Sequence, residues 1–439
     1  MYKHSIGNTL LLLILSIVIF SCRHNGLPPI SAQALISQNQ NKLTQIIIYD
    51  VFTPPVASRI YVYSSLASYE AIRFSKPGYP SITEKLNGFR PMPHPAANKS
   101  YNFTLAATRA FFTVVHKLVF SLDSLTVYES NTYSAFKNEL AEDVYDSSLA
   151  FGDSIGNIIL ARAKDDGYTK SRSKAKYLGS NEPGKWRPTP PDYLDGVEWC
   201  WNTMKSLVLD SSAQFMLPRL PVYSTDTSSA FFKSVMEVYT IGKNLTSEQQ
   251  LIAKYWDDNP FVIEHSGHMM FGNKKITPGG HWMGIAAIAC KQSGADEVKT
   301  AKTFALTSIA LYDAFIACWD EKYRSNVIRP VTVINDQIEK GWTPFLQTPP
   351  FPEYPSGHSA ITRSAATVLT TLYGEHFTFQ DTSELAYIGL QRHFNSFVDA
   401  ANEASISRVF GGIHYQASVD AGAEQGKKVG ELIIKKLGL

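Results

Sequence analysis

Two short segments in the C-terminal half of the chain carry cations that could bind an oxyanion. Lys322 supplies a compact ammonium, and Arg329 and Arg408 each supply a planar guanidinium that can hold two oxygens at once. Pro330 follows Arg329 directly, and we expect it to stop the preceding helix near that cation. A single cation of this kind could merely complement a helix dipole, whereas three around one point would compensate a multiply charged oxyanion.

A third segment, between the other two along the chain, supplies neutral donors and a histidine. Ser356, Gly357 and His358 stand where an apolar helix begins, so the serine hydroxyl and the glycine amide could face an anion there. His358 could act beside it as an acid or base, and His414, six residues beyond Arg408, could be a ligand, a nucleophile or a structural residue. The alternative is an ordinary serine N-cap with an incidental histidine.

Together the three segments resemble a signature shared by the vanadium-dependent haloperoxidases and the type-2 phosphatidic acid phosphatases (PAP2). It reads K-x6-RP, PSGH and SR-x5-H, and ten specified residues match it in order and spacing. At average residue frequencies, a chance match somewhere in the chain is on the order of 10⁻⁵. The match covers about residues 319–420, and looser similarity to the bacterial haloperoxidases extends to residues 54–61 and 280–282.

The resemblance implies a role for each matching residue, with vanadate as the cofactor of the peroxidases. Five residues would bind the equatorial oxygens of vanadate or phosphate: Lys322, Arg329, Ser356, Gly357 and Arg408. His414 would occupy one apex, as the vanadium ligand in the peroxidases. His358 would bond the oxygen at the opposite apex. The catalytic residues implied by the resemblance are therefore His358 and His414.

The two related families use the same residues for different chemistry. In the phosphatases His414 would attack phosphorus and His358 would protonate the leaving group, so a soluble acid phosphatase acting through a phosphohistidine is the alternative. Trp319 and Phe351 favour the peroxidase, because they could line the site with an apolar wall suited to a polarisable halide, unless both are ordinary core aromatics. We therefore expect a haloperoxidase that oxidises iodide or bromide with hydrogen peroxide, with a possible organic acceptor.

The carboxylate that would orient the apical imidazole is not evident from the sequence. Related peroxidases often carry an aspartate four residues after the apical histidine, where this chain has Ser418, and Asp420 follows two residues later. Asp258 could hold Arg408, although a solvated acidic loop is the favoured interpretation of that segment. His281 could join a transition-metal site with nearby histidines, but a structural or channel-lining role is favoured.

Helices must position these residues, because helical periodicity dominates the chain. Apolar residues recur at three- and four-residue spacings over residues 43–71, with a break at 53–55, and over residues 102–122, 134–164 and 301–319. We therefore predict an all-α protein made of helical bundles of the vanadium haloperoxidase and PAP2 type. We place an N-terminal helical half at residues 41–245 and a catalytic half at residues 246–439.

Composition excludes several other classes of protein. Of 439 residues, 44% are hydrophobic and 18% charged, which is typical of an apolar globular protein. A formal charge of +2 is too balanced for nonspecific nucleic-acid binding, so we expect no nucleic-acid partner. The chain shows no internal repeat, which argues against a helical solenoid and against a third hypothesis, a glycan-binding surface lipoprotein.

The N-terminus predicts export. An apolar run of about eleven residues ends at Ser21-Cys22, a pattern that resembles a bacterial lipobox, with a cleaved signal or an uncleaved anchor as the alternative. We predict a signal peptide at residues 1–21, lipidation of Cys22 and a tether over residues 22–40. The protein would be a lipoprotein on the periplasmic or cell-surface face of a bacterial membrane, which it would contact only through its lipid. Three further cysteines remain, and because an odd number leaves at least one thiol unpaired, we expect no disulfide scaffold.

Overall fold

Helices dominate the part of the chain that the structure describes. The computed structural model describes residues 31–260, 262–266, 269–272 and 274–439. Strands form two short antiparallel pairs within these residues. The prediction of an all-α protein is confirmed.

Most of the described helices and strands follow one another with short connections, but long loop regions follow α2, α6 and α11. In chain order the helices are α1 (Ala32–Tyr49), α2 (Pro54–Ile72), α3 (Phe103–Leu118), α4 (Asp123–Glu139), α5 (Glu142–Lys164), α6 (Tyr168–Arg172), α7 (Ala230–Lys243), α8 (Ser247–Tyr255), α9 (Pro278–Gln292), α10 (Glu297–Ser325), α11 (Pro330–Gln337), α12 (Gly357–Tyr373), α13 (Leu385–Ile388), α14 (Phe397–Phe410) and α15 (Gln416–Leu437). Strand β1 (Ile263–Ser266) pairs with β2 (Met269–Gly272), and β3 (Phe379–Asp381) pairs with β4 (Arg392–Phe394).

The connection between α10 and α11 differs from the prediction. Helix α10 ends at Ser325 because Asn326 adopts a left-handed conformation, with φ of 51°. Pro330 does not stop that helix. It is the first residue of α11, where its missing N–H costs nothing, and Arg329 is the N-cap of α11. The prediction for Pro330 is therefore wrong, although both cations do lie beside this helix junction.

The predicted tether is too long at its C-terminal end. Helix α1 covers residues 32–49, and Leu35 and Ile36 in its first turns are already buried. Ser31 caps it, since its hydroxyl accepts a hydrogen bond from a backbone amide of the first turn. Residues 32–40 are thus part of the fold. The predictions for the signal peptide and for Cys22 fall outside the described residues.

Helix α10 is the central helix of the core. It packs against α2 from the N-terminal half and against α12 from the C-terminal half, so one hydrophobic core joins the two halves. Among the described helices it is the one whose length and composition would suit a membrane span, but 94% of its apolar window is buried within the protein. The division of the chain at residue 245 stays a prediction.

Helices α12 and α15 approach each other closely along a row of glycines. Gly422, Gly426 and Gly430 lie four residues apart on α15 and face α12. A Cβ added at Gly426 would lie 1.9 Å from the Ala360 carbonyl oxygen, and one at Gly422 would lie 2.5 Å from the Ser356 carbonyl oxygen. This packing fixes the first turn of α12, where the predicted anion donors lie.

We expect Gly426→Ala to destabilise the protein by about 1–3 kcal/mol, the usual range for overpacking a tight contact. The added methyl group would meet backbone of α12, which cannot move aside as a flexible side chain can. Urea unfolding measures the effect, with the exposed substitution Lys427→Ala as a control. Equal stability of both variants and wild type would contradict this close helix contact.

Candidate active site

A small cavity lies where α10, the first turn of α12 and the end of α14 meet. The centre of a water-sized sphere can move within about 30 Å³ of it, and a single water needs about 10–15 Å³ by this measure. Six predicted site residues line it: Trp319, Phe351, Gly357, His358, Arg408 and His414. Most of the remaining lining is apolar. Residues from two of the three sequence segments therefore meet at the cavity, together with Trp319, which precedes the third on α10. Lys322, Arg329 and Ser356 are buried beside the cavity but do not line it.

Lys322 is buried on the last turn of α10, beside this cavity. Its Nζ donates to the carbonyl oxygens of Pro352, Glu353 and Pro355 at 3.0, 3.1 and 2.5 Å. Burial lowers the pKa of the ammonium, and the charge of Arg329 lowers it further. Three backbone acceptors thus hold the ammonium against the loop that leads into α12.

Arg329 is also fully buried and reaches the apical histidine. Its Nε donates to the Phe351 carbonyl at 2.9 Å, and its Nη1 donates to the Ile413 carbonyl at 2.7 Å. The same Nη1 lies 3.2 Å from Nε2 of His414. Burial, together with the charge of Arg408, lowers the pKa of Arg329 to about 10. The guanidinium remains cationic at neutral pH.

Arg408 carries donors that the protein leaves unsatisfied. Its Nη1 donates to the Trp256 carbonyl at 2.7 Å, but its buried Nε and Nη2 have no hydrogen-bond partner among the described residues. Such groups are rare in folded proteins, because an unpaired buried donor is costly. Since Arg408 lines the cavity, an anion bound there would supply the missing acceptors.

We expect Arg408→Ala to weaken vanadate and phosphate binding alike, by roughly 1.5–3 kcal/mol for the lost charged hydrogen bonds. Lys322→Ala and Arg329→Ala should act in the same direction. Isothermal titration of each anion measures the change. Arg363→Ala is the control, because that side chain contacts Asn402 at the surface. Wild-type affinity for both anions in Arg408→Ala would show that its free donors do not bind them.

The start of α12 is formed as the sequence predicts. Ser356 is the N-cap, and its Oγ accepts hydrogen bonds from the amide and the hydroxyl of Ser359 at 3.3 and 2.9 Å. The Ser356 hydroxyl therefore has a capping role, which leaves only its own proton for an anion. Gly357 lines the cavity, and a Cβ there would lie 3.3 Å from the Trp319 ring. A glycine keeps this approach to the backbone amide open.

His414 is oriented by a carboxylate. Its Nδ1 donates to Oε1 of Glu353 at 2.8 Å, which leaves the Nε2 lone pair facing Arg329 and the cavity. Glu353 also accepts hydrogen bonds from the Tyr415 amide at 3.0 Å and the Ser418 hydroxyl at 2.6 Å. Burial and the neighbouring cations hold the pKa of His414 well below its ordinary value. The imidazole is thus a neutral ligand with a fixed tautomer.

Glu353 is the functional residue that the sequence reasoning missed. The sequence drew attention to Ser418 and Asp420, but Ser418 donates a hydrogen bond to Glu353, and Asp420 accepts one from Gln416 at the surface. The signal available in the sequence was an acidic residue within the proline-rich segment that ends in PSGH. Its pairing with His414, 61 positions away, is visible only in the structure.

We expect Glu353→Gln to weaken vanadate binding by about 10–100-fold, the usual effect of removing a partner that orients a metal-bound histidine. Glutamine retains the volume of glutamate but lacks its charge, so the imidazole becomes a weaker ligand. Equilibrium dialysis with vanadate tests this. The exposed Glu431→Gln should bind normally. Normal binding by Glu353→Gln would mean that the carboxylate does not tune His414.

His358 also lines the cavity, from the first turn of α12, and exposes 14% of its side chain. Its Nε2 is buried and has no hydrogen-bond partner among the described residues. Burial, Arg408 and His281 hold the pKa of His358 well below its ordinary value. His358 is therefore neutral in this arrangement and free to exchange a proton at the cavity.

Asp258 lines the cavity beside His358 and is not in a solvated loop. It is 4% exposed, so that prediction is wrong, and its hydrogen-bond partner is His281 rather than Arg408. Nδ1 of His281 lies 3.1 Å from both oxygens of Asp258, and its Nε2 lies 2.9 Å from Oδ2 of Asp381. His281 is thus buried between two carboxylates.

Aromatic rings form one wall of the cavity. The ring centroids of Trp319 and Phe351 lie 5.1 Å apart at 53°, and Phe315 packs edge-on against Trp319 at 5.1 Å. The indole Nε1 of Trp319 donates to the Val197 carbonyl, so its polar atom is satisfied. Both predicted aromatics therefore line the site and offer an apolar surface beside the cations.

Known proteins with a similar sequence or fold include vanadium-dependent haloperoxidases. The VCPO second helical-bundle domain matches residues 302–438. A bacterial vanadium-dependent iodoperoxidase of known structure is 40% identical, with a TM-score of 0.88, and the alignment covers 94% of this chain and 98% of that one. No curated protein matched.

More distant structures share the fold. The holo form of a bacterial vanadium-dependent chloroperoxidase is 19% identical, with a TM-score of 0.72, over 92% of this chain and 97% of that one. The apo form of a bacterial vanadium-dependent chloroperoxidase, also 19% identical, has a TM-score of 0.67 over 88% of this chain and 94% of that one. At this identity the likeness shows the helical architecture alone.

Proposed function

The chain belongs to the vanadium-dependent haloperoxidase family, and from this premise we propose that it uses vanadate to oxidise a halide with hydrogen peroxide. The observation that carries the proposal is the arrangement at the cavity. Arg408 and a neutral nitrogen of His414 face it, and Lys322 and Arg329 are buried beside it.

The residues present fit vanadate. The unpartnered Nε and Nη2 of Arg408 require an acceptor, and an oxyanion supplies one. Lys322 and Arg329 add two charges, and the Gly357 amide adds a donor at a helix N-terminus. His414 would hold the metal through Nε2.

Each residue of the site has a task derived from its contacts. Bound vanadate supplies a Lewis-acidic centre that activates hydrogen peroxide toward a halide. Glu353 keeps the proton of His414 on Nδ1, so that Nε2 remains available as a ligand. His358 would donate or accept protons at the cavity through its free Nε2. The aromatic wall excludes water beside the cations.

Iodide is the halide that we propose first, and bromide second. The relative of known structure with 40% identity is an iodoperoxidase. The wall formed by Trp319 and Phe351 also suits a large polarisable anion better than a strongly hydrated one. A possible organic acceptor would then react with the oxidised halide.

Purified protein stripped of vanadate tests the function directly. We expect peroxide-dependent iodide oxidation to develop only after orthovanadate is added, and bromide to be oxidised more slowly. The same preparation is assayed with p-nitrophenyl phosphate. Phosphatase activity that vanadate abolishes, without iodide oxidation, would favour the phosphohistidine mechanism at His414 instead.

We also propose that the protein is exported and anchored by a lipid on Cys22, on the periplasmic or cell-surface face of a bacterial membrane. The support is the sequence around Ser21-Cys22, after an apolar run of signal-peptide length. Cys22→Ser should move the protein from the membrane fraction to the soluble fraction. Unchanged membrane association would contradict anchoring through this cysteine.

A further inference from the structure

Beside His358 a row of buried titratable side chains begins at the cavity wall, and the proposed chemistry gives none of them a task. We propose that Glu384, His281 and Asp258 form a proton relay that returns to His358 the proton consumed in each turnover. This inference rests on the proposed function, because iodide, hydrogen peroxide and one proton give hypoiodous acid and water. Iodide loses two electrons and forms an I–O bond, the O–O bond breaks, and the departing oxygen takes up the proton in the water.

The relay begins at His358, which is poorly placed to store a proton. Its pKa lies well below the ordinary value, chiefly because of burial, and its cavity is small and largely apolar. Oδ2 of Asp258 lies 4.0 Å from its Nε2, a gap that one water or a small side-chain movement closes. Asp258 is therefore the group from which His358 can receive a proton.

His281 connects Asp258 with a second carboxylate. Its Nδ1 lies 3.1 Å from both oxygens of Asp258, and its Nε2 lies 2.9 Å from Oδ2 of Asp381. The imidazole also stacks on Trp256, with centroids 4.4 Å apart and planes at 15°. Burial lowers the pKa of His281, but the two carboxylates outweigh it and hold the pKa well above the ordinary value. His281 thus carries protons on both nitrogens and can pass one to Asp258.

Glu384 can replace the proton that His281 gives up. Its Oε1 lies 3.7 Å from Nδ1 of His281, is buried, and has no hydrogen-bond partner among the described residues. Burial raises the pKa of Glu384 to about 8, Asp258 and Asp381 raise it as well, and His281 and Lys275 oppose the rise. Glu384 is therefore a neutral acid at neutral pH. Because it faces the same nitrogen as Asp258, His281 recovers its proton without rotating its ring.

The other titratable neighbours of Glu384 do not compete for this proton. Burial is the main cause that raises the pKa of both Tyr255 and Tyr387, so both stay neutral. The Glu384 side chain is 4% exposed, and Thr382 and Leu385 on either side of it along the chain are exposed. Solvent can thus refill Glu384 from the side away from the cavity.

The substitution Glu384→Gln tests the relay, because it keeps the size of the side chain and removes its proton. We expect kcat for iodide oxidation to fall about tenfold at about pH 8 and by less than about twofold at about pH 5, where solvent protonates His358 directly. The alkaline limb of the pH profile should therefore move to lower pH. Glu384→Asp, which keeps an acid, should recover most of the loss. The exposed Glu375→Gln is the matched control, and its profile should equal that of wild type.

Two measurements do not depend on turnover. Infrared spectroscopy of the vanadate-free protein should show a protonated carboxyl band that disappears near pH 8 and is missing in Glu384→Gln but present in Glu375→Gln. Equilibrium dialysis should give the same vanadate affinity for both variants and wild type. Glu384→Asp should show the band as well, which tests the proton store if the glutamine variant does not fold.

The outcomes separate this inference from the proposed function. An unshifted pH profile in active Glu384→Gln would overturn the relay and leave the haloperoxidase intact. An equal loss at every pH together with weaker vanadate binding would also overturn it, because Glu384 would then only support the site. Wild-type protein without vanadate-dependent iodide oxidation would overturn the proposed function and the relay with it.

Discussion

His414→Ala should lose stable vanadate binding, with affinity reduced by more than about 100-fold, and should lose iodide oxidation with it. Removing even a partner of a metal-bound histidine costs about 10–100-fold, so removing the ligand itself costs more. Nε2 of His414 is available as a ligand because Glu353 holds the proton on Nδ1, whereas the cations would bind only the oxygens. We expect the fold to survive, because the neighbouring Arg329 keeps its backbone partners.

Equilibrium dialysis measures this affinity directly. His376→Ala serves as the control, since that histidine is exposed and does not line the cavity. Phosphate binding adds a second comparison, because phosphate would use the cations and would lose less in His414→Ala. Vanadate affinity equal to wild type in His414→Ala would refute its assignment as the metal ligand.

His358→Ala should slow iodide oxidation strongly and change vanadate affinity little. General acid–base groups contribute about 10²–10⁴-fold in rate, so iodide oxidation should slow by that amount. Vanadate affinity should change by less than about tenfold, because Nε2 of His358 is a single uncharged group opposite the three cations. The variant should therefore fill with vanadate and turn over slowly.

Both quantities are measured on the same preparation, and turnover is expressed per bound vanadate. Arg363→Ala, on the same helix but at the surface, should match wild type in both. A large loss of affinity with normal turnover in the occupied fraction would make His358 a binding residue. The division of labour between the two histidines would then be wrong.

Much of the site could be predicted from the sequence, because short motifs with fixed spacing carry most of its residues. Ser356 caps α12 through its own hydroxyl, and a serine followed by glycine and an apolar run indicates this without any tertiary contact. The cations and His414 were found through a signature with fixed spacing. Pro330 shows the limit of such rules, because proline is compatible both with the end of one helix and with the first residue of the next.

Residues that act through distant partners could not be found in this way. Glu353 contacts His414 from 61 positions away, and His281 contacts Asp381 from 100 positions away. No periodicity or spacing links such pairs, since the packing of several helices sets the distance between them. The prediction that Asp258 lies in a solvated loop was wrong for the same reason. The burial of Asp258 depends on elements elsewhere in the chain.

The burial of Lys322, Arg329 and Arg408 also makes folding depend on dissolved anions. Each of these cations loses hydration in the folded chain, and the charges of neighbouring cations lower the pKa of Lys322 and Arg329 further. An oxyanion that binds the folded chain and not the unfolded one adds about 2.7 kcal/mol of stability at a hundred times its dissociation constant. Vanadate bound at this site would thus stabilise the folded chain by mass action, and the free energy of unfolding would rise with vanadate concentration.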